Sequence, residues 1–277
     1  MLRFRLVIFP IVCFFLALSS FADSLKIHFI DVGEGDAILV ETPSGKAVLV
    51  DSGNLTSGFK LREYIKRNSI ERLDKLILTH PHFDHIGGAF FLVPAIKISH
   101  IYDNGEKLDL SQDIHRWYGD LIRKDPRYKV LRAQDEFSLD GVSFRAIWPP
   151  DPLESTDFNS NSLVVMVEYR NFRCLLAGDL NGFGEKELLG LGIDLTADIL
   201  KVAHHAADDA SSSEFIKAVS PEISIISVNQ ANIRGYPSKK VSERLKESGS
   251  KVYYTYKSGN ILISLDEKGK IQVKEEK

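Results

Sequence analysis

The sequence predicts an α/β protein built from two mixed β-sheets with helices on their outer faces, and three observations carry that reading. Short runs rich in β-branched residues recur from Leu25 to Ser264, with helical patterns between many of them. The chain has 277 residues, 44% of them apolar, which supplies a substantial core without a disulfide framework. It contains no Gly/Ser linker, charge block or internal repeat that would divide it. The composition excludes disordered and disulfide-rich classes. A net charge of −3 argues against a general nucleic-acid coat.

At the start of the chain, Arg3 and Arg5 precede an apolar run from Leu6 to Leu18, and Ser20-Phe21-Ala22 closes it with small residues at signal-peptidase spacing. The run is short for a membrane span, which wants about 20 apolar residues. Residues 1–22 are therefore expected to be a signal peptide cleaved after Ala22, leaving residues 23–277 as one domain, secreted or periplasmic. Losing two arginines and no acid takes the charge from −3 to −5. Cys13 lacks the small residues that precede a lipidated cysteine. Cys174 lies in the apolar run Phe172 to Ala177 and reads as a buried, inert thiol. No later stretch is apolar enough to cross a bilayer.

Strands are expected at Leu25–Asp31, Ala37–Glu41 and Ala47–Asp51, with the turn Pro43-Ser44-Gly45 between the last two. A helix over Gly58–Asn68, a strand Lys75–Thr79, a histidine-rich turn and a helix His85–Val93 follow. The middle holds an amphipathic helix near Ser111–Lys124 and a strand Tyr128–Arg132. Strands Val142–Trp148, Ser162–Tyr169 and Arg173–Ala177 come next, with the loop Pro149–Asn161 between the first two. The last third alternates Ile199–Ala203, Ser212–Val219, Ile223–Val228, Ser238–Glu247, Val252–Tyr256 and Ile261–Ser264.

Five of the eight histidines fall in two clusters. Thr79-His80-Pro81-His82-Phe83-Asp84-His85-Ile86-Gly87-Gly88 sets three imidazoles and a carboxylate within six residues, a ligand set suited to zinc or manganese. On a tight turn His80 and His82 can point one way while Asp84 and His85 point the other, feeding two adjacent metal sites. Gly87 and Gly88 let the helix pack close behind. Asp179 ends the run Ala177-Gly178-Asp179, and His204-His205 ends another apolar strand. Asp179 is placed to bridge two cations and one histidine of the pair to complete the coordination. His28, His100 and His115 read as ordinary strand or surface histidines.

The His-x-His-x-Asp-His turn resembles the metallo-β-lactamase superfamily. Asp31-Val32-Gly33-Glu34-Gly35-Asp36-Ala37, Val50-Asp51-Ser52-Gly53, Asn159-Ser160-Asn161-Ser162, Ala177-Gly178-Asp179 and Lys201-Val202-Ala203-His204-His205, in that order, are similar to the extracytoplasmic metallohydrolase domains of the ComEC-like branch. The resemblance implies a four-layer αββα sandwich and two divalent ions, Zn or Mn. It implies a ligand set of His80, His82, Asp84, His85, Asp179 and His204 or His205, with His204 taken as the ligand. Asp84, His205 and Asn161 are then the catalytic candidates: Asp84 orienting the hydroxide, His205 donating to a phosphate oxygen or the leaving group, and Asn161 either orienting water or capping the turn. Asp36 and Asp51 are read as supports that accept a proton from a ligating imidazole, Asp36 equally as a turn residue.

The implied substrate is a phosphodiester, with nucleic acid, DNA or RNA, the leading class, attacked by a metal-activated hydroxide. The multispanning channel that accompanies such domains is not expected here. Two departures stand out. Tyr236 occupies the position of a family histidine, which weakens the expected second metal site, and Ala206-Ala207 replace the family's Gly-Ser. The acidic balance weighs against a protein that tracks long duplexes, and Arg234, Lys239, Lys240 and Lys201 read as solvated surface cations. Two other readings remain: a lactonase or β-lactamase-like hydrolase, and a metal-binding protein with a degraded site.

Overall fold

The computed structural model describes residues 24–277 apart from Glu154, 231–233 and 267–268. The signal-peptide reading of residues 1–22, with Cys13 and the cleavage point at Ala22, lies outside the described residues. Among the described residues no helix is long and apolar enough to cross a membrane.

The first sheet contains β1 (Lys26–Phe29), β2 (Ile38–Glu41), β3 (Ala47–Val50), β4 (Arg72–Leu78), β5 (Lys97–Asp103) and β6 (Tyr128–Val130). The second contains β7 (Glu136–Leu139), β8 (Val142–Trp148), β9 (Val164–Tyr169), β10 (Phe172–Leu176), β11 (Ile199–Lys201), β12 (Ile223–Ile226) and β13 (Lys251–Tyr254). The chain then returns to the first sheet through β14 (Asn260–Leu265) and β15 (Ile271–Glu276), giving the order β15-β14-β1-β2-β3-β4-β5-β6 opposite β13-β12-β11-β10-β9-β8-β7. Each sheet is mixed: β3 to β6 run parallel in one and β10 to β13 in the other, with antiparallel strands completing both.

Alternation along the strands builds the layers. Ile27, Phe29, Val48, Val50 and Ile77 of the first sheet meet Phe144, Val165, Val167 and Ile199 of the second in the central core. The intervening Leu39, Ala47 and Leu49 face outward, beneath Leu61 and Ile65 of α1 (Gly58–Arg67). On the far side, Val164, Leu175 and Leu200 face Phe215 and Ile216 of α6 (Ser213–Val219) and Val241 and Leu245 of α7 (Lys239–Glu247). Burying each such side chain contributes about 1.5–3 kcal/mol. The result is the four-layer αββα sandwich.

Several elements depart from the sequence reading. The helix expected over His85–Val93 is two single turns, α2 (Phe83–Ile86) and α3 (Ala89–Leu92), separated at Gly87-Gly88. A Cβ on Gly88 would sit 1.9 Å from the Ser52 carbonyl oxygen, so the chain can turn there only without a side chain. The expected helix Ser111–Lys124 is α4 (Asp113–Tyr118) continued by a π-turn, Gly119–Arg123. β5, β7, β15 and α5 (Gly182–Gly190) were not expected.

Candidate metal centre

The strands place the chemistry at one end of the sandwich. Asp51, His80, Asp179 and the His204-His205 pair follow the carboxyl ends of β3, β4, β10 and β11, and Asp36 precedes β2. Gly35 brings the β1–β2 loop against the histidine turn: at φ +106, its Cβ position falls 1.9 Å from the Asp84 carbonyl oxygen. Asp179 is fixed by its own N–H, which donates to Ser162 Oγ at 3.0 Å.

Three overlapping groups of donors result among the described residues, His80 with His82 and Asp179, Asp84 with His85 and His205, and Asp36 with His85 and Asp179, each within 4.8 Å. Asp179 joins them. Its Oδ2 lies 3.8 Å from His80 Nε2 and 3.2 Å from His85 Nε2, and its Oδ1 lies 3.4 Å from His205 Nε2. Asp84 Oδ2 is 3.6 Å from His205 Nε2. The ring orientations are set from behind. His85 Nδ1 donates to Asp51 Oδ2 at 2.7 Å, and His205 Nδ1 donates to the Ser227 carbonyl at 2.9 Å. Asp51 also accepts from Thr79 N and Thr79 Oγ1, at 2.7 and 2.8 Å.

The donor set fits divalent metal. Asp84 Oδ2, His85 Nε2, Asp179 Oδ1 and His205 Nε2 are buried without a hydrogen-bond partner, although buried polar atoms are normally satisfied. All four belong to one cluster of the N/O donors that zinc and manganese take. Protonation shows the same tension. Burial pushes the His80 and His82 imidazoles downward, toward the neutral form that ligates. Burial also opposes charge on His85 and His205, yet Asp179 and its fellow carboxylates raise both, His205 to about 10. Against the upward push of burial, those imidazoles hold Asp84 and Asp179 well below the usual carboxylate range. Metal-free, the cluster balances its acids with protons that bound cations must displace.

The structure exchanges two assignments made from sequence. His205, and not His204, stands among the carboxylates. His204 instead turns Nδ1 to Asp209 Oδ1 at 3.1 Å and Nε2 to Asn159 Nδ2 at 3.2 Å and the Tyr236 hydroxyl at 3.3 Å. Left-handed backbone at His204, His205 and Ala206 (φ 47, 52 and 63) separates the two rings. Asn161 is likewise replaced by Asn159 beside the site: the Asn161 amide donates to Glu106 Oε2 at 2.6 Å and to the Ser155 carbonyl at 2.7 Å, which ties down the loop before β9.

Other residues also differ from expectation. Lys201 is fully buried, with Nζ 2.5 Å from Asp36 Oδ2, so neither is a surface or turn residue. His115 is buried, its Nε2 donating to the Pro81 carbonyl at 3.0 Å and so bracing the histidine turn. Lys239 and Lys240 are exposed as expected, facing Glu243 and Asp208. The Cys174 thiol is buried and pushed up by that burial, out of reach of thiolate chemistry. A charge-free apolar sequence around Lys201 would have been the only hint of its burial, and nothing in the order of residues distinguishes Asn159 from Asn161.

Comparison with known proteins agrees with this architecture. The chain is 30% identical over 260 residues to ComE operon protein 3 of Bacillus subtilis (strain 168), covering 85% of this chain and 32% of that protein. It is 30% identical over 243 residues to competence protein ComA of Neisseria gonorrhoeae, with 86% and 32% covered. The chain thus spans about a third of the length of these relatives. The metallo-beta-lactamase fold protein YhfI from Bacillus subtilis superposes with a TM-score of 0.55 at 14% identity, over 84% of this chain and 96% of that one. Residues 30–230 match the family model of the metallo-beta-lactamase superfamily, and the chain belongs to that superfamily.

Proposed function

We propose that this chain is a secreted or periplasmic metal-dependent phosphodiesterase acting on nucleic acid with two divalent ions, zinc or manganese. The observation that carries it is the buried cluster of Asp84, His85, Asp179 and His205, whose inward donor atoms face one another and make no well-formed hydrogen bond. His80, His82 and Asp179 would hold one ion and Asp84, His85 and His205 the other, with Asp179 shared. Bound there, the ions supply a water of lowered pKa and neutralise charge growing on phosphoryl oxygens.

The chain's own residues do the positioning. Asp51 fixes the His85 ring and Ser227 the His205 ring. Asn159 Nδ2 and the Tyr236 hydroxyl converge at His204 Nε2, two donors at the edge of the cluster that reach a phosphate oxygen once substrate displaces that contact. A phenol suits this work better than metal ligation. Kinship with a competence protein favours nucleic acid over a lactone or lactam as substrate.

Purified protein loaded with zinc or manganese is tested on single-stranded DNA, plasmid and a chromogenic diester. Turnover of at least one, lost on chelation and in His85→Ala, is expected. No turnover of any of the three by protein shown to carry metal, with hydrolysis of a lactam or lactone instead, would overturn the reading.

A further inference from the structure

A cavity of about 340 Å³ opens directly beside the cluster and shares His82 and Asp84 with it. Its other walls include Phe83, Phe158, Asn54 and Gln112. Phe83 is 45% exposed and lines the cavity beside His82 and Asp84. Phe158 is held by T-shaped contacts to His82, at 5.5 Å, and His115, at 5.4 Å, and remains partly exposed. His115 is in turn bonded to the Pro81 carbonyl, so the ring and the histidine turn move as one body.

We infer that this cavity is a base-stacking subsite: it receives one unpaired nucleobase against Phe83 and Phe158 while the adjoining phosphodiester reaches His82 and Asp84, which rests on the phosphodiesterase reading above. The rim of the cavity adds little positive charge of its own. Arg234 on the rim faces Glu34 at 3.4 Å and Asp84 at 3.8 Å, so the cation stands against two carboxylates. A net charge of −3 also gives the chain no overall excess of the cations by which duplex binders gain affinity through counterion release. Aromatic faces supply affinity for the base itself, and every base has a face to offer. A base inside a duplex has both faces covered by its neighbours, so only an unpaired or terminal one can enter. The volume agrees, lying at the lower end of the ~300–1,000 Å³ of small-ligand pockets. Asn54 and Gln112 supply amides to base edges without fixing one base, because each amide both donates and accepts. Single strands and strand ends are therefore the selected form.

The full chain, with and without added zinc, is titrated with a phosphorothioate-linked single strand carrying 2-aminopurine, whose fluorescence is quenched on stacking. Quenched binding is expected. Phe158→Leu, which keeps an apolar side chain, and Phe83→Ser, at an exposed position, are each expected to weaken it by about 5- to 100-fold. A labelled duplex and an abasic strand are expected to bind more weakly than the labelled single strand. Absence of quenching, duplex binding equal to the single strand, or variants that fold by circular dichroism and bind like the parent would each overturn the subsite. Cleavage by the zinc-loaded protein is scored separately. Equal cleavage of base-bearing and abasic strands removes the subsite and leaves the phosphodiesterase. Quenched binding without cleavage of any diester does the reverse.

Discussion

Lys201→Met removes the cation under the metal cluster. Lys201 Nζ stands 2.5 Å from Asp36 Oδ2, and both side chains are fully buried. At an effective dielectric of 20 their attraction at that distance is about 7 kcal/mol. Desolvation of several kcal/mol per ion offsets most of it, so the pair as a whole adds little. The single substitution has a different effect. It leaves the Asp36 carboxylate buried, 3.7 Å from His205 Nδ1 and grouped with His85 and Asp179, without its ammonium. Breaking a buried pair in this way costs about 3–5 kcal/mol. Urea denaturation of metal-free protein is expected to show that loss, and Lys201→Met/Asp36→Leu to recover most of it. Zinc is expected to restore part of the single variant's stability, because a cation at the cluster replaces missing positive charge. A single variant that loses no more than the about 1 kcal/mol typical of surface pairs, or a double variant less stable than either single, would refute this account.

Three further outcomes are expected. Asp51→Asn keeps the volume but turns an amide N–H toward either Thr79 or His85, and is expected to lower metal affinity about 10–100-fold, measured by competition with a chromogenic chelator. Ala206→Gly relieves a left-handed residue that costs about 1–2 kcal/mol, less the ~0.5–1 kcal/mol of added backbone freedom, and is expected to raise Tm by about 2–4 °C in a thermal melt with metal content unchanged. Glu41 is pushed upward by burial but held below its ordinary 4.5 by His28, at 2.5 Å, with Lys26 assisting. A depressed carboxylate contributes stability that is present above pH 4.5 and lost as pH falls through its folded value. Glu41→Gln is expected to flatten the acid limb of a stability profile measured by urea denaturation.

The sequence displays what repeats and hides what depends on neighbours. Strands with one face to the core, such as β8 with its Val-Ser-Phe-Arg-Ala alternation, are legible because burial imposes the period of two. The histidine turn is legible because metal chemistry needs that density of donors in one place. β5 is obscured by polar residues on buried positions: Asp103 is inside because Tyr118, Tyr128 and Arg123 from three other segments all donate to it. β15 alternates only Ile271 and Val273 against polar and charged residues, being an edge strand that touches one neighbour. α5 has no one-sided apolar stripe, and starts where Asn181 accepts from the Gly184 N–H. The order of His204 and His205 around the site is set by three consecutive left-handed residues, and Ala206 conceals that bend where a glycine would have announced it.

On the proposed function, charge would tie the metals to substrate binding as well as to chemistry. Asp36, Asp51, Asp84 and Asp179 are buried at one end of the sandwich with Lys201 as their lysine counter-charge, and the chain carries a net −3 overall. With neutral imidazoles, four carboxylates against one ammonium leave the cluster strongly negative, which repels a phosphodiester at short range. The neighbouring carboxylates favour protons on His85 and His205, which soften that repulsion in the metal-free protein. Two divalent cations reverse the sign of the cluster while displacing those protons. Oligonucleotide affinity is therefore expected to rise on loading with zinc, in a chain of net charge −3, and to do so more steeply at low salt, where the field of the cluster is least screened. Affinity that is unchanged by metal removal, measured by fluorescence anisotropy at two ionic strengths, would place phosphate recognition elsewhere on the surface.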